Sequence, residues 1–100
     1  MLDLDGITGF EWDEGNTRKS VDKHAVRPLE AEEVFADPRL LIVQDVRHSH
    51  DEARYQALGK SAAGRGLFVA FTFRENGTRI RIISSRPMSR KERAIYGQEA

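Results

Sequence analysis

The chain has no cysteine among its 100 residues. That excludes disulfides, thiolate metal sites and thiol catalysis, and makes a reducing compartment its natural setting. No apolar run approaches the ~20 residues that a membrane-spanning helix needs. The start, Met1-Leu2-Asp3-Leu4-Asp5, is acidic and lacks the basic region of a signal peptide. Internal repeats, low-complexity tracts and linkers are absent as well. The expectation is one cytoplasmic domain over residues 1–100 with a single modest core and no membrane partner. Gly6 and Thr8 suggest a loose start over residues 1–8.

Net charge is also lacking, but the zero conceals a segregation. Residues 1–40 carry ten acids and five bases, and residues 41–64 carry three of each. Residues 65–100 carry eight bases against Glu75, Glu92 and Glu99. Such asymmetry points to nucleic-acid contact by the basic part, or to an acidic half that neutralises a basic sheet within the same molecule. Seven of the eight bases are Arg, the residue suited to bidentate phosphate recognition and base stacking.

Those arginines fall on a β-hairpin. Residues Gly66 to Phe73 read as one strand and Arg79 to Ser84 as its partner, with Asn76-Gly77 between them as a two-residue type I′ turn. The register then sets Arg74 opposite Arg79, Phe73 opposite Ile80 and Thr72 opposite Arg81. With period-two alternation, Phe71, Phe73, Ile80 and Ile82 share one face while Arg74, Arg79 and Arg81 share the other. Like charges facing each other destabilise a sheet, so a cluster of this kind suits an anionic partner.

The remaining elements read as follows. Phe10 to Asp13 is a short strand ending in a helix N-cap, and a polar surface helix runs from Glu14 to His24 with Val21 as its main apolar contact. A second helix starts at Pro28, has Glu30, Glu32 and Glu33 in its early turns, buries Leu29, Val34 and Phe35, and stops before Asp37-Pro38. Leu40 to Val43 is a first sheet strand or its lead-in, Arg54 to Gly59 is another strand, and residues 60–66 are a loop. Ser89-Arg90-Lys91-Glu92 is a capping box opening a short helix that reaches Tyr96. The pattern is α+β: a short strand, two helices, three antiparallel strands and a closing helix.

Seven segments occur in order: Phe10-Glu11-Trp12-Asp13-Glu14-Gly15-Asn16, Lys23-His24, Val34-Phe35-Ala36-Asp37-Pro38, Asp45-Val46-Arg47-His48, Glu52-Ala53-Arg54-Tyr55, Arg81-Ile82-Ile83-Ser84-Ser85-Arg86 and Met88-Ser89-Arg90-Lys91-Glu92-Arg93, followed by Tyr96. Together they resemble the BrnT toxins of BrnT–BrnA type II toxin–antitoxin systems, over residues 9 to 96. The resemblance implies a RelE-like fold with two N-terminal helices, a three- to four-stranded antiparallel sheet and a short C-terminal helix. It also implies metal-independent endoribonuclease activity that stops translation, no cofactor, and neutralisation by a BrnA-like ribbon-helix-helix antitoxin. DNA would be bound only indirectly, through that antitoxin. Three positions depart from the family pattern. Ser20 stands for the usual Asn, Ser85 for Ala, and Ala25 for the Gly that follows Lys-His. Ala25 removes the residue favoured in a left-handed helix cap, so the turn must close differently or bear strain.

Metal-free RNA cleavage uses the 2′-OH of the substrate against the adjacent phosphate. The protein must remove that proton, stabilise charge on the phosphoryl oxygens and protonate the leaving oxygen. Arg suits the middle task, because it stays charged and offers a planar fork of donors. The catalytic candidates are Arg47, His48, Arg65, Arg74, Arg81 and Arg86. Lys23, His24, Arg54, Tyr55 and Arg79 are candidates for RNA binding. His48 titrates near neutrality and suits either proton transfer or a structural place in its loop. His24 suits a helix C-terminus equally well, and Tyr55 suits base stacking or the core. Trp12 reads as a core anchor rather than a stacking platform. His48-x-His50 lacks the third ligand a zinc site requires. Two alternatives to a ribonuclease stay open: a non-catalytic nucleic-acid-binding module, and a protein-interaction domain whose arginines meet an acidic partner.

Overall fold

The computed structural model describes residues 4–12, 15, 18, 19, 21, 23, 25–48 and 52–99. Five strands form one sheet: β1 (Gly9–Trp12), β2 (Leu41–Asp45), β3 (Arg54–Lys60), β4 (Gly66–Arg74) and β5 (Arg79–Pro87). Their order is β1-β5-β4-β3-β2. Strands β2 to β5 pair antiparallel, whereas β1 runs parallel to β5. Helix α1 (Pro28–Glu33) continues into a 3₁₀ turn over Val34–Ala36, a second 3₁₀ turn over Val46–His48 follows β2, and α2 (Arg90–Glu99) closes the chain.

This corrects the expected architecture. Instead of two N-terminal helices on a three- to four-stranded antiparallel sheet, there is a five-stranded mixed sheet. The unbroken described helices are two and short, one central and one C-terminal. The helix expected over Glu14–His24 lies largely outside the described residues. Of that stretch Gly15, Arg18, Lys19, Val21 and Lys23 are described, and all five are exposed. The sheet is larger than expected because two short segments join its edges. Leu41–Asp45 pairs fully with β3, and Gly9–Trp12 takes the free edge of β5. A parallel edge strand has no hairpin turn to announce it, so only tertiary packing fixes its partner.

One sheet face is the core. Ala57, Leu67, Val69, Phe71, Ile80 and Ile82 are buried there against Val26, Ala31 and Val34. Burying an aliphatic or aromatic side chain of this size contributes about 2 kcal/mol. Phe35 packs edge-on to Phe71 with ring centroids 5.0 Å apart and tilts against Phe10 at 5.5 Å. The inward stripe of α1 and its 3₁₀ extension is therefore Ala31, Val34 and Phe35, at helical spacing. Leu29, expected inside, is 67% exposed. Trp12 packs on this core and its indole N–H donates to Glu32 Oε2 at 2.9 Å.

The hairpin has the expected register from its tip to Phe71. Arg74 pairs with Arg79, Phe73 with Ile80 and Thr72 with Arg81. The connection is four residues rather than the expected two: Glu75 (φ 52°), Asn76 (φ 55°) and Gly77 (φ 84°) all lie in the left-handed region, and the Gly77 N–H donates to the Arg74 carbonyl and the Thr78 N–H to the Glu75 carbonyl, each at 3.1 Å. The ladder then shifts. Phe71 pairs with Ile82 but Ala70 with Ser84, leaving Ile83 as the extra residue of a β-bulge. This reverses the alternation along β5, so Arg86 faces Phe68 on the same side as Arg79 and Arg81. Without the bulge, the odd spacing between Arg81 and Arg86 would place them on opposite faces.

Candidate nucleic-acid interface

The face opposite the core is built around these arginines. At the hairpin end, Arg74 Nη2 donates to Glu52 Oε1 at 3.2 Å. Arg79 Nε donates to Glu11 Oε2 at 2.9 Å, and its Nη2 to the Phe10 carbonyl at 2.8 Å. Arg81 lies between Thr72 of β4 and Glu11 of β1 in the ladder and is half-buried. The loop before β3 comes down on this end, because Thr72 Oγ1 donates to the Ala53 carbonyl at 2.7 Å. That contact brings the segment holding Glu52 and Arg54 to the arginines. Arg54 is exposed at the start of β3, opposite Asp45.

At the other end, α2 lies over the sheet. Between them runs a groove of about 310 Å³ whose lining includes Leu41, Val43, Leu58, Phe68 and Ile95. Arg86 sits beside it, with its guanidinium carbon 4.1 Å from the Phe68 ring centroid. Its Nη1 and Nη2 donate to the two carboxylate oxygens of Glu92 at 2.7 and 2.8 Å. The same Glu92 completes the capping box. Its Oε1 accepts from the Ser89 N–H at 2.8 Å, and Ser89 Oγ accepts from the Glu92 N–H at 3.2 Å. The hydrogen bond from Arg86 outweighs the effect of burial and holds the Glu92 carboxyl below the ordinary carboxylate range, and the Arg86 guanidinium is correspondingly raised.

The tyrosine that ends the family motifs has a different task. The Tyr96 hydroxyl donates to Asp37 Oδ2 at 2.6 Å, tying α2 to the turn before β2. Burial, together with that bond, pushes the Tyr96 phenol up to about 12. Burial alone would raise the Asp37 carboxyl. The Tyr96 hydroxyl and the backbone N–H groups of Arg39 and Lys60 outweigh it, so the carboxyl sits below its ordinary value.

The other candidates divide. Arg65 faces the α1 side: its Nη1 donates to the Ala25 carbonyl at 2.8 Å and to Glu30 Oε1 at 3.1 Å, away from the arginine face. Tyr55 is on the core face, stacked on Phe71 at 5.6 Å and edge-on to Phe73 at 5.4 Å. Arg47 is exposed in the 3₁₀ turn after β2, and Lys23 is exposed. His48 belongs to that same turn, but its side chain lies outside the described residues, as do His24 and His50. Among the described residues, no three His, Cys, Asp or Glu side chains are grouped to hold a metal ion. No helix there is long and apolar enough to cross a membrane. Sequence reasoning missed the partners: Glu11, Glu52, Phe68 and Glu92. Glu11 and Glu52 stood in the family segments and Glu92 in the capping box, but none of these signals pointed to an arginine partner.

The pairs of Arg74 with Glu52, Arg79 with Glu11 and Arg86 with Glu92 all lie on this face, and these arginine side chains are 38%, 36% and 37% exposed. The single-contact carboxylate pairs, Arg74–Glu52 and Arg79–Glu11, are worth roughly 0–1 kcal/mol each at such exposure, so an incoming anion can exchange with those two carboxylates at small cost. Of these carboxylates only Glu11 comes from the acidic first part of the chain; Glu52 belongs to the balanced middle and Glu92 to the basic part itself.

Fold and face together define a class: a small α+β domain whose mixed sheet buries one side and lines the other with arginine. A family model described as the ribonuclease toxin BrnT of type II toxin–antitoxin systems matches residues 12–92. The chain belongs to the BrnT family of ribonuclease toxins. Among solved structures it is similar to the Brucella abortus ribonuclease toxin BrnT, determined at 1.1 Å, with a TM-score of 0.63. The two are 18% identical, and the match covers 83% of this chain and 99% of that one, a likeness that speaks for the fold. None of the curated proteins compared matches this chain.

Proposed function

We propose that this toxin cleaves RNA without a metal, by attack of the substrate 2′-OH on the adjacent phosphate, and so stops translation in the cytoplasm. The observation that carries this reading is the gathering of Arg74, Arg79, Arg81 and Arg86 on one sheet face by a hairpin and a bulge. Fixed guanidinium groups supply the positive charge that the phosphoryl oxygens need as the transition state forms. Arg81 and Arg86 are our candidates for that task, with Arg74 and Arg79 holding the flanking phosphates. Arg54 and Arg47 extend the binding surface, and Lys23 and His24 are further candidates for RNA contact. His48, from the turn that leads into the loop over Thr72, is the candidate for proton transfer. Arg65 supports the turn at Ala25 and acts on the site only through the fold.

The exposed ion pairs favour a second, compatible reading of the same face. Arginines that already accept carboxylate partners suit an acidic segment of an antitoxin, here a BrnA-like ribbon-helix-helix protein that also carries the DNA-binding function. Neutralisation would then be competition for one surface.

Purified single-stranded RNA, incubated with EDTA at neutral pH, tests the enzymatic reading. Wild type should leave a 2′,3′-cyclic phosphate and spare the matching DNA, while Arg81→Ala, folded, should lose about 10²–10³ in rate. Binding should weaken with salt by about −0.7 per phosphate neutralised. An Arg81→Ala protein as active as wild type would remove Arg81 from the site, and a flat salt dependence would leave the face to protein partners.

A further inference from the structure

Arg86 is held on several sides at once. Its guanidinium has five N–H donors. One Nη1 hydrogen reaches Glu92 Oε1, the other is directed to the Pro87 carbonyl at 3.2 Å, and one Nη2 hydrogen reaches Glu92 Oε2. The guanidinium carbon lies over the Phe68 ring, 4.1 Å from its centroid. Two donors remain, the Nε–H and the second Nη2–H, and neither makes a hydrogen bond among the described residues. These two point the same way along one edge of the guanidinium, so together they form a second fork of the kind that receives a phosphate or carboxylate bidentately.

Glu92 is fixed in turn. A capping box needs only one of its carboxylate oxygens, on the Ser89 N–H, and its second oxygen is spent on Arg86. The carboxylate is anchored to backbone at the first turn of α2, so the guanidinium it holds is anchored too.

We propose that Glu92, assisted by Phe68, is a positioning residue that holds Arg86 with its Nε/Nη2 edge turned outward as a ready-made bidentate fork for an RNA phosphate. This rests on the reading of the arginine face as the site of RNA cleavage. An arginine free to rotate must be ordered when substrate arrives, whereas one held on two sides meets the phosphate already oriented, and small misplacements of such groups cost orders of magnitude in rate. The first turn of α2 thereby becomes part of the active face without touching substrate.

The test is Glu92→Gln, because Gln also serves in a capping box and so separates the helix cap from the charged pair. Cleavage of a reporter mRNA is followed by primer extension in a translating cell-free extract, which presents both free and ribosome-bound RNA, across a range of mRNA concentrations. Thermal melts confirm that each variant folds. The expected result is a fall of about tenfold or more in kcat with a smaller change in KM. It should come with a strong loss in Arg86→Ala and no further loss when Glu92→Gln is added to Arg86→Ala. Should Arg86→Ala fail to fold, Arg86→Lys keeps the charge, lacks the fork, and should show the same loss.

Wild-type kcat in Glu92→Gln beside an inactive Arg86→Ala overturns the proposal, because Arg86 would then need no positioning. A faster Glu92→Gln also overturns it, since the carboxylate would be competing with RNA. Losses that multiply in the double variant show that Glu92 acts through the fold, again overturning it. Full activity in Arg86→Ala, or an mRNA left intact by wild type, instead strikes the underlying reading of the face.

Discussion

Ala25 holds a backbone conformation that its side chain disfavours, and replacing it with Gly should stabilise the protein. Its φ is 53°, the left-handed region. Its N–H donates to the Val21 carbonyl at 3.0 Å, the bond that closes a helix end through a left-handed residue. Its own carbonyl accepts from Arg65 Nη1, so the turn is fixed from both sides and the strain persists. An L-residue pays about 1–2 kcal/mol for this conformation relative to the right-handed one. Glycine avoids that cost but is freer in the unfolded chain, which returns about 0.4–1 kcal/mol. Ala25 is exposed, so losing its methyl forfeits little burial, and both backbone hydrogen bonds survive the change. The net expectation for Ala25→Gly is a gain of about 0.5–1 kcal/mol, or a Tm about 2–8 °C higher, given roughly 4–8 °C per kcal/mol for a domain of this size. Urea unfolding should show a higher midpoint at unchanged slope. Ala25→Val should move the midpoint the other way, because a β-branched residue fits this region worse than Ala. A midpoint that falls in Ala25→Gly would refute the reasoning, because the turn would then not be strained in solution.

Gly59 in β3 should tolerate no side chain: a Cβ there would lie 2.8 Å from Val34 Cγ1 and 3.1 Å from the Val34 carbonyl. Val34 is fully buried, so it cannot yield freely. Gly59→Ala should cost about 1–3 kcal/mol in urea unfolding, and a neutral result would show that the 3₁₀ turn after α1 moves away from the sheet with ease. The Tyr96 phenol, titrating at about 12, should appear in the 295 nm absorbance of a Tyr55→Phe variant well above the ordinary tyrosine value. Adding Asp37→Asn should bring it down. Because the folded value is raised, the stability linked to this proton is fully present below about pH 10 and is lost as pH rises toward about 12. A Tyr96 that ionises at its ordinary value would mean that α2 is not docked through Asp37.

What could be read from the residues, and what could not, follows the reach of the signal. Asn76-Gly77 and the alternation on either side made the hairpin register legible, because centring the turn there sets Arg74 opposite Arg79 whether the loop is two residues or, as found, four. The resemblance in seven short segments identified the family, even though the architecture expected with it was wrong in strand count and helices. Leu29 looked like core because it, Val34 and Phe35 are the large apolar residues of a stretch otherwise rich in Glu. Ala31 sits at the inward position instead, and a helix of this length has room for only one narrow stripe. Tyr55 joined the core because β3 pairs with β4 in a register that sets Tyr55 beside Phe71, a long-range fact that no local pattern encodes.

The bulge at Ile83 shows how a single residue of irregularity decides what a surface can do. Ile82-Ile83 reads as two consecutive strand residues, one for each face, and simple alternation from Arg81 would send Arg86 into the core side. Inserting one unpaired residue instead keeps Ile82 and Ser85 buried, delivers Arg86 to the exposed side, and leaves it across the ladder from Phe68. A buried guanidinium would require a buried partner and carry a large desolvation cost, so the sequence Arg-Ile-Ile-Ser-Ser-Arg is compatible with a folded sheet chiefly if the chain slips by one residue between its two arginines. The burial pattern demands the bulge, and the bulge brings Arg86 to the face that the hairpin already lines with Arg74, Arg79 and Arg81.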